Sequence, residues 1–175
     1  MPKSLAENEI RLEKVTYANA WDIMKLRVSR EQKGFVARNS SSLAEAYLTL
    51  DADRNVFPFG IYRGKKPVGF VMIGYDWQID EAEGDECETP DIARGNYMIW
   101  RFMIDRKYQH RGYGRAAMQL ALDFIRTFPC GKAEYCWLSY EPENEKAKKL
   151  YASFGFEEAK EFPRGWDEIP AALKL

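Results

Sequence analysis

The chain has 175 residues, of which 46% are apolar and 30% are charged, and its formal net charge is -1. This length and composition predict one soluble globular domain with a sizeable core and exclude a disordered chain. A net charge near zero supplies no basic field to attract nucleic acid or an anionic membrane, so neither partner is expected.

The N-terminus and the cysteines indicate the compartment. The segment MPKSLAENEI carries acids where a signal peptide needs an apolar stretch. No uninterrupted apolar run approaches the ~18 residues of a membrane span. The three cysteines (Cys87, Cys130 and Cys136) form no CxxC pair, and His110 is the only histidine. We therefore expect a cytoplasmic protein with no metal site and no disulfide framework.

The first half of the chain alternates between the periodicities of strands and helices. It predicts a strand at 9–16, helices at 17–31 and 39–50, and strands at 55–63 and 67–76 around the turn GKK. Serine side chains before Leu43 are expected to cap the second helix. The stretch 76–93 follows as a loop with eight acids and neither Lys nor Arg.

The second half continues in the same alternation. It predicts a strand at 95–105, a helix from Tyr113 that Pro129 and Gly131 end, a strand at 133–139, a helix at 143–155, and strands at 156–162 and 167–175. No internal repeat or linker interrupts these elements. Residues 1–175 are therefore predicted to form a single α/β domain.

The segment DRKYQHRGYGRAAMQLALDFIR (105–126) places two glycines between arginines directly before an amphipathic helix. The first turn of a helix has unpaired N–H groups and positive partial charge. Gly112 and Gly114 allow a ligand to approach the backbone closely, and Arg111 and Arg115 can add charge-assisted hydrogen bonds. These features favour a diphosphate ligand.

Two common nucleotide-binding motifs do not match this segment. A Walker loop needs GxxxxGK[ST], and no Lys-Ser or Lys-Thr pair follows here. The dinucleotide fingerprint needs GxGxxG, and only GxG is present. From the glycines alone, a tight structural loop without a ligand remains the alternative.

The same segment resembles a known superfamily. QHRGYG (109–114) fits the Q/R-x-x-G-x-G/A motif of the GNAT superfamily of N-acetyltransferases, and KLYASFGF (149–156) is similar to its tyrosine-bearing helix. The order of the predicted elements also fits. The resemblance implies an α/β GNAT fold: a mixed sheet of about seven strands, with helices on both faces and a splay between its two central strands.

The resemblance further implies that the cofactor is acetyl-coenzyme A (acetyl-CoA). Backbone groups at the end of the 95–105 strand would bind the pantetheine arm, and one N–H would polarise the thioester carbonyl. The loop after that strand would hold the pyrophosphate. The implied cofactor-binding residues are Phe102, Met103, Ile104, Gln109, His110, Arg111, Gly112, Tyr113, Gly114, Arg115 and Asn144.

Two of the implied roles have structural alternatives. Asn144 resembles a residue that binds the cofactor arm, but an asparagine before a helix also serves as its N-cap. Tyr151 resembles the general acid that protonates the departing coenzyme A thiolate. Its spacing with Ala147, Leu150 and Phe154 also predicts a core tyrosine. Both roles of Tyr151 are compatible, because a tyrosine can bury its ring and expose its hydroxyl.

The proton acceptor is not evident. An amine with a pKa of ~10.4 is neutral in about one molecule in ~2500 at pH 7, which adds roughly 4.6 kcal/mol to the barrier. A base, a proton wire or a desolvating site must offset this cost. Polyamine-type acetyltransferases often carry an acid just before the segment that corresponds to 101–103, and this chain has Trp100 there. No base is assigned from the sequence.

The substrate prediction rests on the wider resemblance. RVSREQKGFV, KPVGFVMIGYD and WRFMIDRKYQHRGYG together look most like bacterial diamine, spermine and spermidine N-acetyltransferases. Glu31 and Asp76 are the predicted substrate carboxylates, and the acidic loop is either a polycation site or a solvated surface. Another amine (an antibiotic, an amino acid or a protein lysine) and a non-catalytic coenzyme A-binding module remain alternatives. The sequence leaves open whether the protein is a homodimer.

Overall fold

The computed structural model describes residues 9–78, 88–160, 163 and 165–175. Within these residues, seven strands form one mixed sheet in the order β1-β2-β3-β4-β5-β7-β6. The strands are β1 (Ile10–Lys14), β2 (Asn55–Arg63), β3 (Lys66–Tyr75), β4 (Tyr97–Ile104), β5 (Tyr135–Tyr140), β6 (Glu157–Glu158) and β7 (Ile169–Lys174). The helices are α1 (Ala20–Lys25), α2 (Asn39–Asp51), α3 (Tyr113–Ile125) and α4 (Glu145–Ala152).

All neighbouring strands are antiparallel except β4 and β5, which run parallel. The parallel pair lies at the centre of the sheet, and the crossover between its two strands contains α3. The predicted order of strands and helices and the mixed seven-stranded sheet are confirmed.

Alternating side chains of the strands divide the core between the two faces of the sheet. On one face, Ile73 and Ile99 pack in a cluster with buried residues of α3 and with Tyr151 of α4. On the other face, Phe70 and Met72 pack with buried residues of α1 and α2. Helices therefore cover both faces, as the resemblance implied.

The first helix is shorter in the structure than the sequence predicts. A helix was predicted over 17–31, whereas α1 ends at Lys25, and Leu26 already has extended backbone angles. Tertiary hydrogen bonds explain the early end. The N–H of Arg27 donates to the Asp105 carboxylate at 2.8 Å, and the carbonyl of Arg27 accepts from the N–H of Arg106 at 2.9 Å.

Other predicted ends also shift. The N-cap of α2 is Arg38 rather than a serine, and no side chain caps this end. Ser42, inside the helix, donates to the Arg38 carbonyl at 3.3 Å. α3 ends at Ile125, one turn before Pro129, and α4 is shorter than the predicted 143–155. β6 has only two residues where 156–162 was predicted.

Some sequence predictions fall on residues that the structure does not describe. These are the N-terminal residues 1–8, Cys87, positions 79–87 of the acidic loop, and residues 161 and 162 of a predicted strand. Among the described residues, no helix has the length and apolar character needed to cross a bilayer. The same residues contain no group of three His, Cys, Asp or Glu side chains arranged to hold a metal ion.

Candidate active site

The two central strands separate after a short contact. β4 and β5 pair only through Tyr97 with Cys136 and Met98 with Trp137, although β4 continues to Ile104 and β5 to Tyr140. Between the diverging ends lies a cavity of about 720 Å³. The splay that the resemblance implied is therefore present, and within the described part of the chain the edge of β4 that faces β5 has no strand partner beyond Met98.

A β-bulge lies where β4 leaves β5. In the pairing with β3, Met72 lies opposite Arg101 and Ile73 lies opposite Ile99, so Trp100 is the extra residue. Bulges bend a strand and increase its twist, and this one coincides with the separation from β5. Arg101 is held on the α2 side of the sheet by the carboxylate of Glu45, at 3.1 Å.

The end of β4 is fixed by a buried carboxylate. Asp105 is 6% exposed and accepts hydrogen bonds from the N–H groups of Arg27 at 2.8 Å and Lys107 at 2.9 Å. Gln109 then donates from Nε2 to the Ile104 carbonyl at 3.0 Å and to Gln32 Oε1 at 2.8 Å. These bonds connect the strand end to the following loop and to the segment after α1.

The cavity contains most of the predicted cofactor-binding residues. Its lining includes the predicted residues Phe102, Met103, Ile104, Gln109, His110, Tyr113, Gly114, Asn144 and Tyr151. The structure therefore brings together parts of β4, the loop before α3, and α4. Gly112, Arg111 and Arg115 belong to the same loop but do not line the cavity.

The segment of residues 109–115, here called the glycine loop, presents backbone donors. His110 and Gly112 both have left-handed backbone angles, with φ of 61° and 78°. Gly112 is the N-cap of α3, and no side chain caps the helix. The N–H groups of Tyr113, Gly114 and Arg115 have no acceptor among the described residues. Such donors at a helix N-terminus fit an anionic group such as a pyrophosphate.

Gly114 is not required by the protein's own packing. A Cβ built on it would lie 3.8 Å from Ile104 Cγ1 and 3.9 Å from Leu150 Cδ2, which are ordinary contacts. Its φ is not in the left-handed region, unlike that of Gly112. Since neither sterics nor backbone angle demands a glycine here, close approach of a ligand to the backbone explains it best.

The two arginines of the glycine loop have partners within the protein. The Arg111 guanidinium lies over the Tyr108 ring, 5.9 Å from its centroid. Arg115 donates to Ser153 Oγ at 2.9 Å and lies over the Phe154 ring. Neither contact uses all the donors of a guanidinium, so both side chains keep N–H groups for an anion at the helix end.

Asn144 has the capping role that the sequence left as an alternative. Its Oδ1 accepts a hydrogen bond from the Ala147 N–H at 3.2 Å and so caps α4. The side chain also lines the cavity, and its amide N–H₂ has no acceptor among the described residues. The same residue can therefore cap the helix and donate to a ligand.

Tyr151 combines a buried ring with access to the cavity. It is 8% exposed, and its ring lies 5.6 Å from Tyr140 and 6.0 Å from Phe156, centroid to centroid. Its hydroxyl makes no hydrogen bond to a described residue, and the side chain lines the cavity. Burial, and then the negative charge of Glu168, raise the pKa of Tyr151 above its ordinary value. The phenol therefore stays protonated at neutral pH and can donate a proton.

A carboxylate on the cavity wall was missed in the sequence. Glu168 directly precedes β7 and lines the cavity, where its Oε2 accepts a hydrogen bond from the Ser139 hydroxyl of β5. Nothing in the local pattern DEIPAALKL separates it from a surface acid. Only the pairing of Pro170 with Ser139 shows that it lies beside the end of β5.

The predicted substrate carboxylates do not reach this cavity. Glu31 lies in a short 3-10 helix, is exposed and is not part of the lining. Asp76 has a left-handed φ of 51° and accepts a hydrogen bond from the Gly95 N–H at 2.7 Å. It lines a separate cavity of about 220 Å³. In these positions Asp76 stabilises the turn before β4, and neither residue contacts the space beside Tyr151.

Comparison with known proteins identifies the family. A model of the "Acetyltransferase (GNAT) family" matches residues 21–156, which span β4, the glycine loop, α3 and α4. The spermine/spermidine N(1)-acetyltransferase of Bacillus subtilis is 28% identical over 148 residues, which are 85% of this chain and 88% of that protein.

Solved structures share the fold. The spermidine N-acetyltransferase of Vibrio cholerae, in complex with CoA and spermine, has a TM-score of 0.62 at 19% identity, covering 93% of this chain and 92% of that one. An aminoglycoside acetyltransferase in complex with coenzyme A and kanamycin has a TM-score of 0.72 at 14% identity, with 95% of both chains covered.

Proposed function

The chain belongs to the GNAT family of acetyl-CoA-dependent N-acetyltransferases, and we propose that its amine substrate is a polyamine such as spermine or spermidine. The observation that carries this proposal is the 28% identity to a spermine/spermidine N(1)-acetyltransferase over 85% of the chain. Structures at lower identity do not discriminate, because one neighbour contains spermine and another contains kanamycin.

The charge around Glu168 supports a polycationic substrate. Burial, and then the charges of Glu168, Glu143 and Asp167, raise the pKa of Glu141. Glu141 directly follows β5, and Asp167 and Glu168 directly precede β7, whose Ile169 pairs with Tyr140. These carboxylates therefore lie at the same end of the two strands, next to a cavity whose lining includes Glu168. A single exposed ion pair contributes only about 0.2–1 kcal/mol, so several carboxylates are needed to select a polycation.

We propose roles for the residues that meet at the splay. The N–H groups at the end of β4 hold the pantetheine arm and the thioester carbonyl, and the glycine loop holds the pyrophosphate. The Asn144 amide donates to the cofactor arm. Tyr151 gives its proton to the coenzyme A thiolate as the C–S bond breaks.

An acetylation panel tests the substrate. Release of coenzyme A is measured with acetyl-CoA and spermine, spermidine, a diamine, butylamine, an aminoglycoside and a lysine-containing peptide. We expect kcat/KM for spermine and spermidine to exceed that for butylamine by at least about tenfold, which corresponds to roughly 1.4 kcal/mol. Raising the salt concentration should increase the KM of the polyamines more than that of butylamine.

Three results would contradict the proposal in different ways. Equal rates for butylamine and spermidine would leave an acetyltransferase without polyamine specificity. Acetylation of the aminoglycoside or the peptide alone would assign another substrate class. Binding of coenzyme A without turnover of any amine would indicate a non-catalytic module.

A further inference from the structure

Glu168 is the only Asp or Glu among the described residues that line the cavity. The attacking amine must lose a proton, and the β4 bulge position in the cavity lining holds Trp100, which cannot accept one. The Trp100 indole instead packs near Trp77, with 6.3 Å between ring centroids. The cavity therefore offers one carboxylate as a proton acceptor, and it comes from the other side of the splay.

The position of Glu168 is fixed by strand pairing. Ile169 pairs with Tyr140, and Pro170 pairs with Ser139, so the residue before β7 lies beside the end of β5. The Ser139 hydroxyl donates to Glu168 Oε2. The other oxygen, Oε1, has no hydrogen-bond donor among the described residues. One oxygen is thus oriented by Ser139 and the other is available to a ligand.

Glu168 and Tyr151 both lie beside Tyr140 at the end of β5. Ile169, next to Glu168, pairs with Tyr140, and the Tyr151 ring lies 5.6 Å from the Tyr140 ring, centroid to centroid. Both line the cavity, Glu168 from the segment before β7 and Tyr151 from α4. The charge of Glu168 contributes to the raised pKa of Tyr151, after burial. A base and an acid that face the same space can serve the two proton transfers of an acyl transfer.

We infer that Glu168 is the proton acceptor for the attacking amine. The inference rests on the proposed function in that it requires catalysis, but not in the choice of amine. Glu168 takes one proton from the bound ammonium, and the neutral amine nitrogen then forms a bond to the acetyl carbonyl carbon. The C–S bond breaks with its electron pair on sulfur, and the thiolate takes the Tyr151 proton. The second proton of the bonded nitrogen restores Tyr151, and Glu168 releases its proton to solvent. The products are the acetylated amine and coenzyme A.

His110 is a weaker candidate for the same role. It lines the cavity, but it is an exposed member of the glycine loop. Its neighbours there are the free N–H groups of the α3 N-terminus, which suit an anion. The base is needed beside the amine that attacks the thioester. Glu168 lies with Tyr151, which is proposed to protonate the thiolate leaving that same thioester.

The first test replaces the carboxylate with an amide of the same shape. Glu168→Gln should lower kcat by about 10²-fold at pH 7, with little change in acetyl-CoA affinity. Glu157→Gln is the matched control, because it makes the same chemical change at an exposed residue of β6 outside the cavity lining. It should keep kcat within about threefold of wild type. A Glu168→Gln enzyme with a wild-type kcat overturns the inference.

The second test separates proton transfer from a structural role. In Glu168→Gln the rate should rise about tenfold per pH unit toward the amine pKa, since only the neutral amine then reacts. The deficit relative to wild type should also shrink with an amine whose pKa is near the assay pH. The titratable groups beside Glu168 are Tyr140 and Glu141 at the end of β5, Asp167 next to it in the chain, and Tyr151 on α4, and the same cavity is lined by Lys146 and Lys149 of α4. A deficit that is equal for all amines and all pH values overturns the inference.

Ser139→Ala provides an independent variant. It removes the donor to Oε2 and keeps the carboxylate, so kcat should fall by roughly threefold to tenfold, with a shifted acid limb of the pH profile. An unchanged profile would contradict the positioning role of Ser139. If the wild-type enzyme prefers another amine to polyamines, the substrate proposal fails, and the same Glu168 tests are decided with that amine.

Discussion

The glycine loop and the Ser139–Glu168 pair line or border the same cavity but are built from different parts of the chain. The loop is one continuous segment, and its free polar groups are backbone N–H groups at the start of α3. The pair consists of two side chains that are 29 positions apart and meet only through the pairing of β5 with β7. One region recognises charge with its backbone, and the other places a carboxylate by tertiary structure.

This difference determines how each region responds to substitution. Backbone donors survive most side-chain changes, so the loop should be sensitive to added atoms that keep a ligand from the N–H groups. The side that holds Tyr151 and Glu168 should be sensitive to removed atoms, because each proton transfer depends on one functional group. Substitutions of Gly114 add atoms to the glycine loop, and Tyr151→Phe removes an atom from the side of the cavity that holds Glu168.

The largest effect is expected from removing one oxygen from Tyr151. Tyr151→Phe keeps the ring that packs against Tyr140 and Phe156 and loses only the hydroxyl, which has no hydrogen bond to a described residue. We expect kcat to fall by about 10²–10⁴-fold. The melting temperature should stay within about 3 °C of wild type, which corresponds to roughly 1 kcal/mol.

Steady-state kinetics and calorimetric melting measure both quantities. Tyr135→Phe is the matched control, since Tyr135 lies on β5 outside the cavity lining. It should leave kcat unchanged. Near-normal turnover of Tyr151→Phe would reduce this residue to a core tyrosine and leave the departure of the thiolate unexplained.

The second effect is expected from adding atoms to Gly114. Gly114→Asp places a side chain and a negative charge beside the free N–H groups of the α3 N-terminus, where the pyrophosphate is proposed to bind. We expect coenzyme A affinity to fall by at least about 100-fold, or roughly 3 kcal/mol. Gly114→Ala should give a smaller loss, and both variants should fold, because the added Cβ meets only ordinary contacts.

Titration calorimetry with coenzyme A measures these affinities. Gly74→Ala is the control, since its Cβ would meet only Trp100 at 4.0 Å and the residue does not line the large cavity. Unchanged affinity in Gly114→Asp would show that the diphosphate binds elsewhere. The glycine loop would then be a structural turn only.

Local patterns predicted the elements and the glycine loop, and the resemblance to the GNAT superfamily implied the mixed sheet and its splay. The apolar run 95–105 and the amphipathic helix after Gly112 predicted β4 and α3 to within two residues at their starts. The α1 error came from a tertiary contact, the carboxylate of Asp105 on the Arg27 N–H, which no local pattern contains. Local periodicity therefore predicted the elements but not where tertiary hydrogen bonds end them.

The amine side of the site was not predictable for the same reason. Glu168 lies in a stretch of ordinary surface composition, and it reaches the cavity only because β7 returns beside β5. Glu31 and Asp76 were predicted from their charge, from the resemblance to polyamine acetyltransferases and from the closeness of Asp76 to the sheet, and the structure places both outside the cavity. A sequence shows which residues are acidic, but it does not show which cavity their side chains line.

The smallest predicted effect concerns pH and connects Tyr151 to Glu168. Because burial and Glu168 raise the pKa of Tyr151 above 10.0, the native state holds this proton more tightly than the unfolded chain. The contribution of this proton to the free energy of unfolding is fully present below pH ~10. It is lost as the pH rises above that value, by up to about 1.4 kcal/mol per pH unit. Tyr151→Phe removes this loss.

Urea unfolding at pH 8 and at pH values above 10 gives the free energy of unfolding of each protein. The loss due to Tyr151 is the difference in this pH dependence between wild type and Tyr151→Phe. Tyr62 and Tyr97 also have pKa values raised mainly by burial and contribute equally to both proteins. The pKa of Tyr140 is raised first by burial and by Glu158 and only last by Tyr151, so the difference reports Tyr151 with a small part from Tyr140. In Glu168→Gln the alkaline loss from Tyr151 should be smaller, because one cause of its raised pKa is gone. If the free energy of unfolding of all three proteins changed with pH in the same way, Tyr151 and Glu168 would not interact. The mechanism, which requires both groups in one part of the cavity, would then lose its support.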